Sequence, residues 1–185
     1  TLSLHDALPI SHSATSLLAS CLRDFVKHGI PGKRILMRFV LFGTSVEVTK
    51  NPYDEMPLIE LNDNTRPFFL ELIDGPGEST DYFLEGNRGN TNMEGGVKAC
   101  IELMKQYQGN DQQKMTPIQH TIVLTDGVAN IGISDPARFS RFVKSSIQWD
   151  NSFVHFVGLG VGVNESFMDV VTDKGRVGVF AVAGD

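Results

Sequence analysis

Two oxygen-bearing residues in this chain stand where an apolar element begins or ends. Asp126 directly follows the run His120-Thr-Ile-Val-Leu-Thr125 and precedes Gly127, and Thr91 lies in Gly89-Asn-Thr-Asn-Met-Glu-Gly-Gly96, at the mouth of the helical pattern that leads into that run. A carboxylate at a strand's end is costly to desolvate unless it is paired, hydrogen-bonded or close to a cation, so a cation site gives Asp126 a physical reason to be there. Each residue also has a bland reading. Asp126-Gly127 is a common turn pair, and Thr91-x-x-Glu94 has the spacing of a capping box that satisfies helix N-terminal amides.

Other chemistry finds little support. The histidines His5, His12, His28, His120 and His155 show no i, i+4 pair, so a zinc site is not indicated. Ser45, Ser79 and Ser140 lack a Gly-x-Ser-x-Gly elbow, which leaves nucleophilic hydrolysis without a sequence signal. Gly158-Leu-Gly-Val-Gly162 follows an apolar strand, yet the next helix starts late and no acidic residue follows at the expected distance, so close backbone packing is the expected role. Cys21 and Cys100 belong to no Cys-x-x-Cys pair and read as buried thiols, and unpaired cysteines favour a reducing interior.

The elements that must position Asp126 and Thr91 follow from periodicity. Leu17, Leu18, Cys21, Leu22, Phe25 and Val26 recur at helical spacing over Ser13 to His28, with Gly29 and Pro31 as stop signals. Ile35 to Phe42 is apolar apart from Arg38 and reads as a buried strand turning at Gly43 into an antiparallel partner through Val46 and Val48. Residues 50 to 90 are irregular, with one short helix expected over Pro67 to Ile73, capped by Asn64 or Thr65. Met93, Val97, Cys100, Ile101, Met104 and Tyr107 mark a helix of about four turns. Then come a buried strand at Thr121 to Thr125, a helix opened by Asp135-Pro136, a strand at Phe153 to Val157, a short helix at Glu165 to Asp173 and a strand at Val177 to Ala183. This alternation predicts an α/β fold: a Rossmann-like, doubly wound, mostly parallel sheet with one antiparallel edge strand and helices on both faces. In such a sheet, ligands bind beyond the carboxyl ends of the strands, where Asp126 and Thr91 fall.

Composition is that of a globular domain: 185 residues, 41% of them hydrophobic and 21% charged. The net charge of -6 and the lack of any basic block argue against nucleic acid or an anionic membrane as partner. No apolar stretch approaches the roughly 20 residues of a membrane span. The first ten residues, TLSLHDALPI, resemble translated sequencing-adapter DNA, so residues 1–10 are expected to be a non-native leader and 11–185 the domain.

Gly-x-Thr opening a helix, followed by an apolar strand ending Leu124-Thr-Asp-Gly-Val-Ala-Asn130, closely resembles the von Willebrand factor type A domain. The resemblance extends to Phe42-Gly-Thr-Ser-Val-Glu-Val48 and Val157-Gly-Leu-Gly-Val-Gly162 and covers residues 11 to 185. It implies a metal-ion-dependent adhesion site, where an Asp-x-Ser-x-Ser loop after a first, central strand joins the threonine and the aspartate around a divalent cation, usually magnesium. Carried over by motif, Thr91 is a ligand and Asp126 a ligand directly or through water, and a carboxylate from a protein partner completes the shell. Hydroxyl and carboxylate oxygens suit such a hard ion.

The sequence departs from this pattern at its start, having no Asp-x-Ser-x-Ser and no apolar strand before the first helix. Ser11-His12-Ser13 sits where Ser-x-Ser is expected, with Pro9 in place of the aspartate; Ser13 can equally be a helix N-cap and Ser11 part of the leader. The expected site is therefore Thr91, Asp126, Ser11 and Ser13, incomplete and weak for magnesium. The missing strand would lie between Ile35–Phe42 and Thr121–Asp126. The resulting reading is a non-enzymatic, metal-dependent binding module. Its alternatives are a magnesium-dependent hydrolase or phosphotransferase, with Glu47 or Asp81 as the second carboxylate, and a metal-free scaffold.

Overall fold

Apolar spacing becomes two cores on either side of a sheet. In the computed structural model, residues 12–74, 90–110, 118–125, 129–147, 151–159, 163–173 and 178–183 are described. The first helix, α1 (His12–His28), is followed by β1 (Leu36–Met37), β2 (Val40–Phe42), β3 (Val46–Val48), β4 (Ile59–Glu60) and α2 (Arg66–Asp74). Then α3 (Met93–Asn110) leads into β5 (Gln119–Thr125), α4 (Pro136–Ser146), β6 (Ser152–Leu159), α5 (Glu165–Val171) and β7 (Phe180–Ala183).

Strands β5, β6 and β7 form a parallel sheet in that order, with Val123 opposite Phe156 and Phe156 opposite Phe180. Successive strand residues point to opposite faces, so neighbours in sequence enter different cores. Phe42, Val123, Val154 and Phe156 join Val97 and Ile101 of α3, Phe139 and Val143 of α4, and Phe167 and Val171 of α5 on one side. Leu41 and Leu124 join Val26 of α1 and Phe69 and Ile73 of α2 on the other. This is the predicted α/β architecture, a parallel sheet with helices on both faces and an antiparallel pair, β2 with β3.

Local signals explain the later boundaries. Asp135 caps α4 by accepting from the Arg138 amide at 2.7 Å, with Pro136 opening the helix, and Asn164 caps α5 through the Phe167 amide at 3.0 Å. Gly158 is close-packed as expected: a Cβ there would stand 2.4 Å from Val163 Cγ1.

Several expectations change. The run Ile35 to Phe42 is two strands, not one, because the chain breaks at Arg38 and Phe39; Leu36 and Met37 turn to pair with β4 instead. Among the described residues β2 and β5 share no ladder, and the expected central strand lies outside the described residues. The helix from Met93 runs 18 residues, longer than four turns. Thr65 flanks α2, but its hydroxyl donates to the Glu60 carbonyl and accepts from the Asn62 amide, tying α2 to the turn after β4. Cys100 is buried as expected, whereas Cys21 is exposed, because its position on α1 faces away from the core that Val26 enters.

Candidate functional site

Thr91 lies at the carboxyl-end rim of the sheet, two residues before α3 begins, and is 3% exposed. Three segments converge on it. The amide of Asn90 donates to Thr44 Oγ1 at 2.9 Å and that of Asn92 to the Gly43 carbonyl at 3.0 Å, tying the loop to the β2–β3 turn. The segment after β5 closes over the other side. Asn130 and Ile131 amides both donate to the Thr91 carbonyl at 3.2 Å, and the Asn130 side-chain oxygen accepts from the Thr91 amide.

Glu94 completes the clamp from the first turn of α3. Its Oε2 accepts from the Ile133 amide at 2.9 Å. Gly132 has φ +79°, and a Cβ there would lie 2.7 Å from that same Oε2, so only glycine lets the segment pass this close to the carboxylate.

The capping box read from Thr91-x-x-Glu94 does not form. Asn92 accepts from the Gly95 amide at 2.9 Å and caps α3, while Glu94 is spent on Ile133. Thr91 thus uses its amide and carbonyl in the clamp, and its hydroxyl has no hydrogen-bond partner among the described residues. A hydroxyl that no described group engages is open to a ligand at the rim. Its chemistry, a neutral oxygen donor, fits a hard divalent cation.

Asp126 and Ser11 lie outside the described residues. The described residues flanking Asp126 are Thr125, the buried end of β5, and Ala129, which is buried in the core beneath α3 and leads into the Asn130 clamp. Ser13 falls inside the first turn of α1, so it does not stand at the N-cap position. Glu47 is exposed on β3, and Asp81 lies outside the described residues. Among the described residues no group of three or more His, Cys, Asp or Glu side chains could hold a metal by itself.

The clamp roles of Asn130 and Glu94 escaped sequence reasoning, which read Glu94 in a capping box and Asn130 only as the close of the Leu124–Asn130 motif. A second pair also escaped it. His120 and His155, 35 positions apart, meet on the exposed half of the sheet at 2.9 Å between Nδ1 and Nε2. Alternation on two parallel strands puts both on one face, a signal that requires the register to be read.

No family model matches the sequence, and comparison with curated proteins gives no match. Solved structures do resemble it. A von Willebrand factor type A protein from Catenulispora acidiphila matches 99% of this chain at 15% identity with a TM-score of 0.63. Proximal thread matrix protein 1 from the mussel byssus matches 98% at 16% identity with a TM-score of 0.61. A form of that protein with a zinc-occupied MIDAS motif matches 98% at 14% identity and a TM-score of 0.54. This chain spans 38%, 43% and 40% of those three chains, well under half of each.

Proposed function

The chain has the fold of a von Willebrand factor type A domain, and from that fold we propose that it is a non-enzymatic, metal-dependent protein-binding module. The observation that carries the reading is the position of Thr91, a buried residue whose amide and carbonyl are held in the clamp while its hydroxyl bonds to no described group. Thr91 and Asp126 would hold a divalent cation, magnesium by ligand chemistry, with Ser11 and Ser13 as the remaining candidate ligands. The zinc-occupied MIDAS motif of the mussel protein supports a divalent ion in a chain of this fold. When bound, the cation supplies a Lewis-acidic position that a partner's carboxylate can fill.

Binding rather than catalysis is favoured by what surrounds Thr91. Hydrolysis or phosphoryl transfer needs a nucleophile or general base beside the metal. The carboxylate in the first turn of α3, Glu94, is already held by the Ile133 amide. Asn92 and Asn130 are amides, occupied in the cap and the clamp.

The test replaces residues 1–13 by an apolar strand ending in Asp-x-Ser-x-Ser. Calorimetry with magnesium and with zinc is expected to show a gain in affinity, together with a higher melting temperature. Asp126→Ala in that background is expected to remove the metal gain alone. Unchanged metal binding after the replacement would overturn the adhesion-site reading of Thr91 and Asp126.

A further inference from the structure

Among the described side chains, α1 and α2 cover the face of β5–β6 opposite the α3–α5 core at the carboxyl ends of the strands, where Leu124 and Val157 pack. Lower down, His120, Ile122, Phe153 and His155 share this face, with Ile122 opposite His155 in the register. The three rings lie nearly parallel: His120 and His155 have centroids 5.1 Å apart at 24°, and Phe153 stacks on His120 at 5.5 Å and 19°.

Hydrogen bonds fix the protons on this stack. The Val179 amide donates to His155 Nδ1 at 3.3 Å, so Nδ1 carries no proton and the neutral ring holds its proton on Nε2. That Nε2–H meets His120 Nδ1 at 2.9 Å, which must then accept, leaving the His120 proton on Nε2. One pair of neutral tautomers satisfies both bonds. A proton added to His155 sets an N–H against the Val179 amide. A proton added to His120 sets its Nδ1–H against the His155 Nε2–H, and relief by moving the His155 proton to Nδ1 again opposes Val179. Every singly protonated state therefore loses one of the two bonds.

Val179 is the residue that leads into β7. Its carbonyl accepts from the Phe156 amide at 3.0 Å, and at the preceding residue, Gly178, a Cβ would stand 1.8 Å from the Val154 carbonyl oxygen. The entry to β7 thus lies directly on β6. We propose that His120 and His155 form a proton-operated latch: the neutral pair fastens the start of β7 to β6, and uptake of one proton releases it. Among the described residues no charged side chain bonds to either ring. Ile122 on β5, Phe153 on β6 and Val179 before β7 flank His155, and His120 is the titratable group that bears on it. Burial, then the neighbouring His120, lowers the His155 pKa from 6.5, which favours the neutral His155 ring at pH 7.

Two measurements on the full chain test the latch. Long-range proton–nitrogen NMR at pH 8 is expected to find His155 protonated at Nε2 only and His120 likewise; a protonated His155 Nδ1 would overturn the proposal. Amide exchange at Val179 and Phe156, corrected for its intrinsic pH dependence, is expected to speed up about 5-fold or more on acidification to pH 5, the size expected for one lost hydrogen bond. His155→Phe is expected to abolish that step while keeping an aromatic ring on Phe153. Exchange that shows no step in the native chain, or a step that survives in His155→Phe, would overturn it.

Discussion

Thr91 and Asn92 are adjacent, yet the structure gives them opposite duties. Asn92 holds the Gly95 amide and so caps the start of α3, whereas the Thr91 hydroxyl bonds to nothing described. Without metal, Thr91→Val keeps the shape and removes a hydroxyl that bonds to no described group, so chemical denaturation is expected to show a change within about 0.5 kcal/mol or a slight gain. Asn92→Ala is expected to cost about 1 kcal/mol, the usual loss for an N-cap. The reverse ranking would restore Thr91 as the cap and remove the argument for a ligand. Which of two neighbouring polar residues caps a helix was not legible in the sequence, because Thr91-x-x-Glu94 fits the capping pattern as well as Asn92 does. The contact that decides it, Glu94 with Ile133, spans 39 positions.

At the scale of elements, one charged side chain divides a strand. Arg38 interrupts the apolar run, and its Nε and Nη1 are buried without a hydrogen-bond partner, although Asp54 lies close enough to favour its charge. Burial outweighs that attraction and lowers the guanidinium's pKa. The run splits there, β1 turning to β4 and β2 to β3. Arg38→Met retains the apolar stem and removes the buried unpaired donors, so it is expected to be neutral or to stabilise by about 1 kcal/mol in urea unfolding. A loss above about 1 kcal/mol would mean that the guanidinium is stabilised by its surroundings. The helices were the legible elements, since α1, α3 and α4 follow their apolar spacing and stop signals. β4 was not, because two residues between prolines carry no period and pair only through β1.

His155 links the same scale to pH. Its folded pKa is below 6.5, so the unfolded chain takes up a proton first as the pH falls. The stability that comes from keeping it neutral is complete above pH 6.5 and is lost as the pH falls from there through the folded value. This loss belongs to β6 and the entry to β7, which places it far along the sheet from the Thr91 clamp.

For the whole molecule, the question is how much of the fold depends on its first residues. The α3–α5 core draws on residues from Phe42 to Phe180, and the described side chains of the α1–α2 core begin at Ala19. The alternation of strands and helices was legible over that range because each layer repeats one pattern, an apolar strand and then an amphipathic helix. The order of strands around β2 and β5 was not, since it depends on a strand expected ahead of α1. Buried apolar area sets most of the stability of such layers, and the described cores are built from side chains of Ala19 onward. Removing residues 1–10 is therefore expected to leave the circular dichroism spectrum and the soluble yield unchanged, as a foreign leader requires. Phe156→Ala, which empties the centre of the α3–α5 core, serves as the destabilising comparison and is expected to cost about 3–5 kcal/mol. If the deletion instead costs helix or soluble protein on the scale of Phe156→Ala, the leader contributes to the sheet.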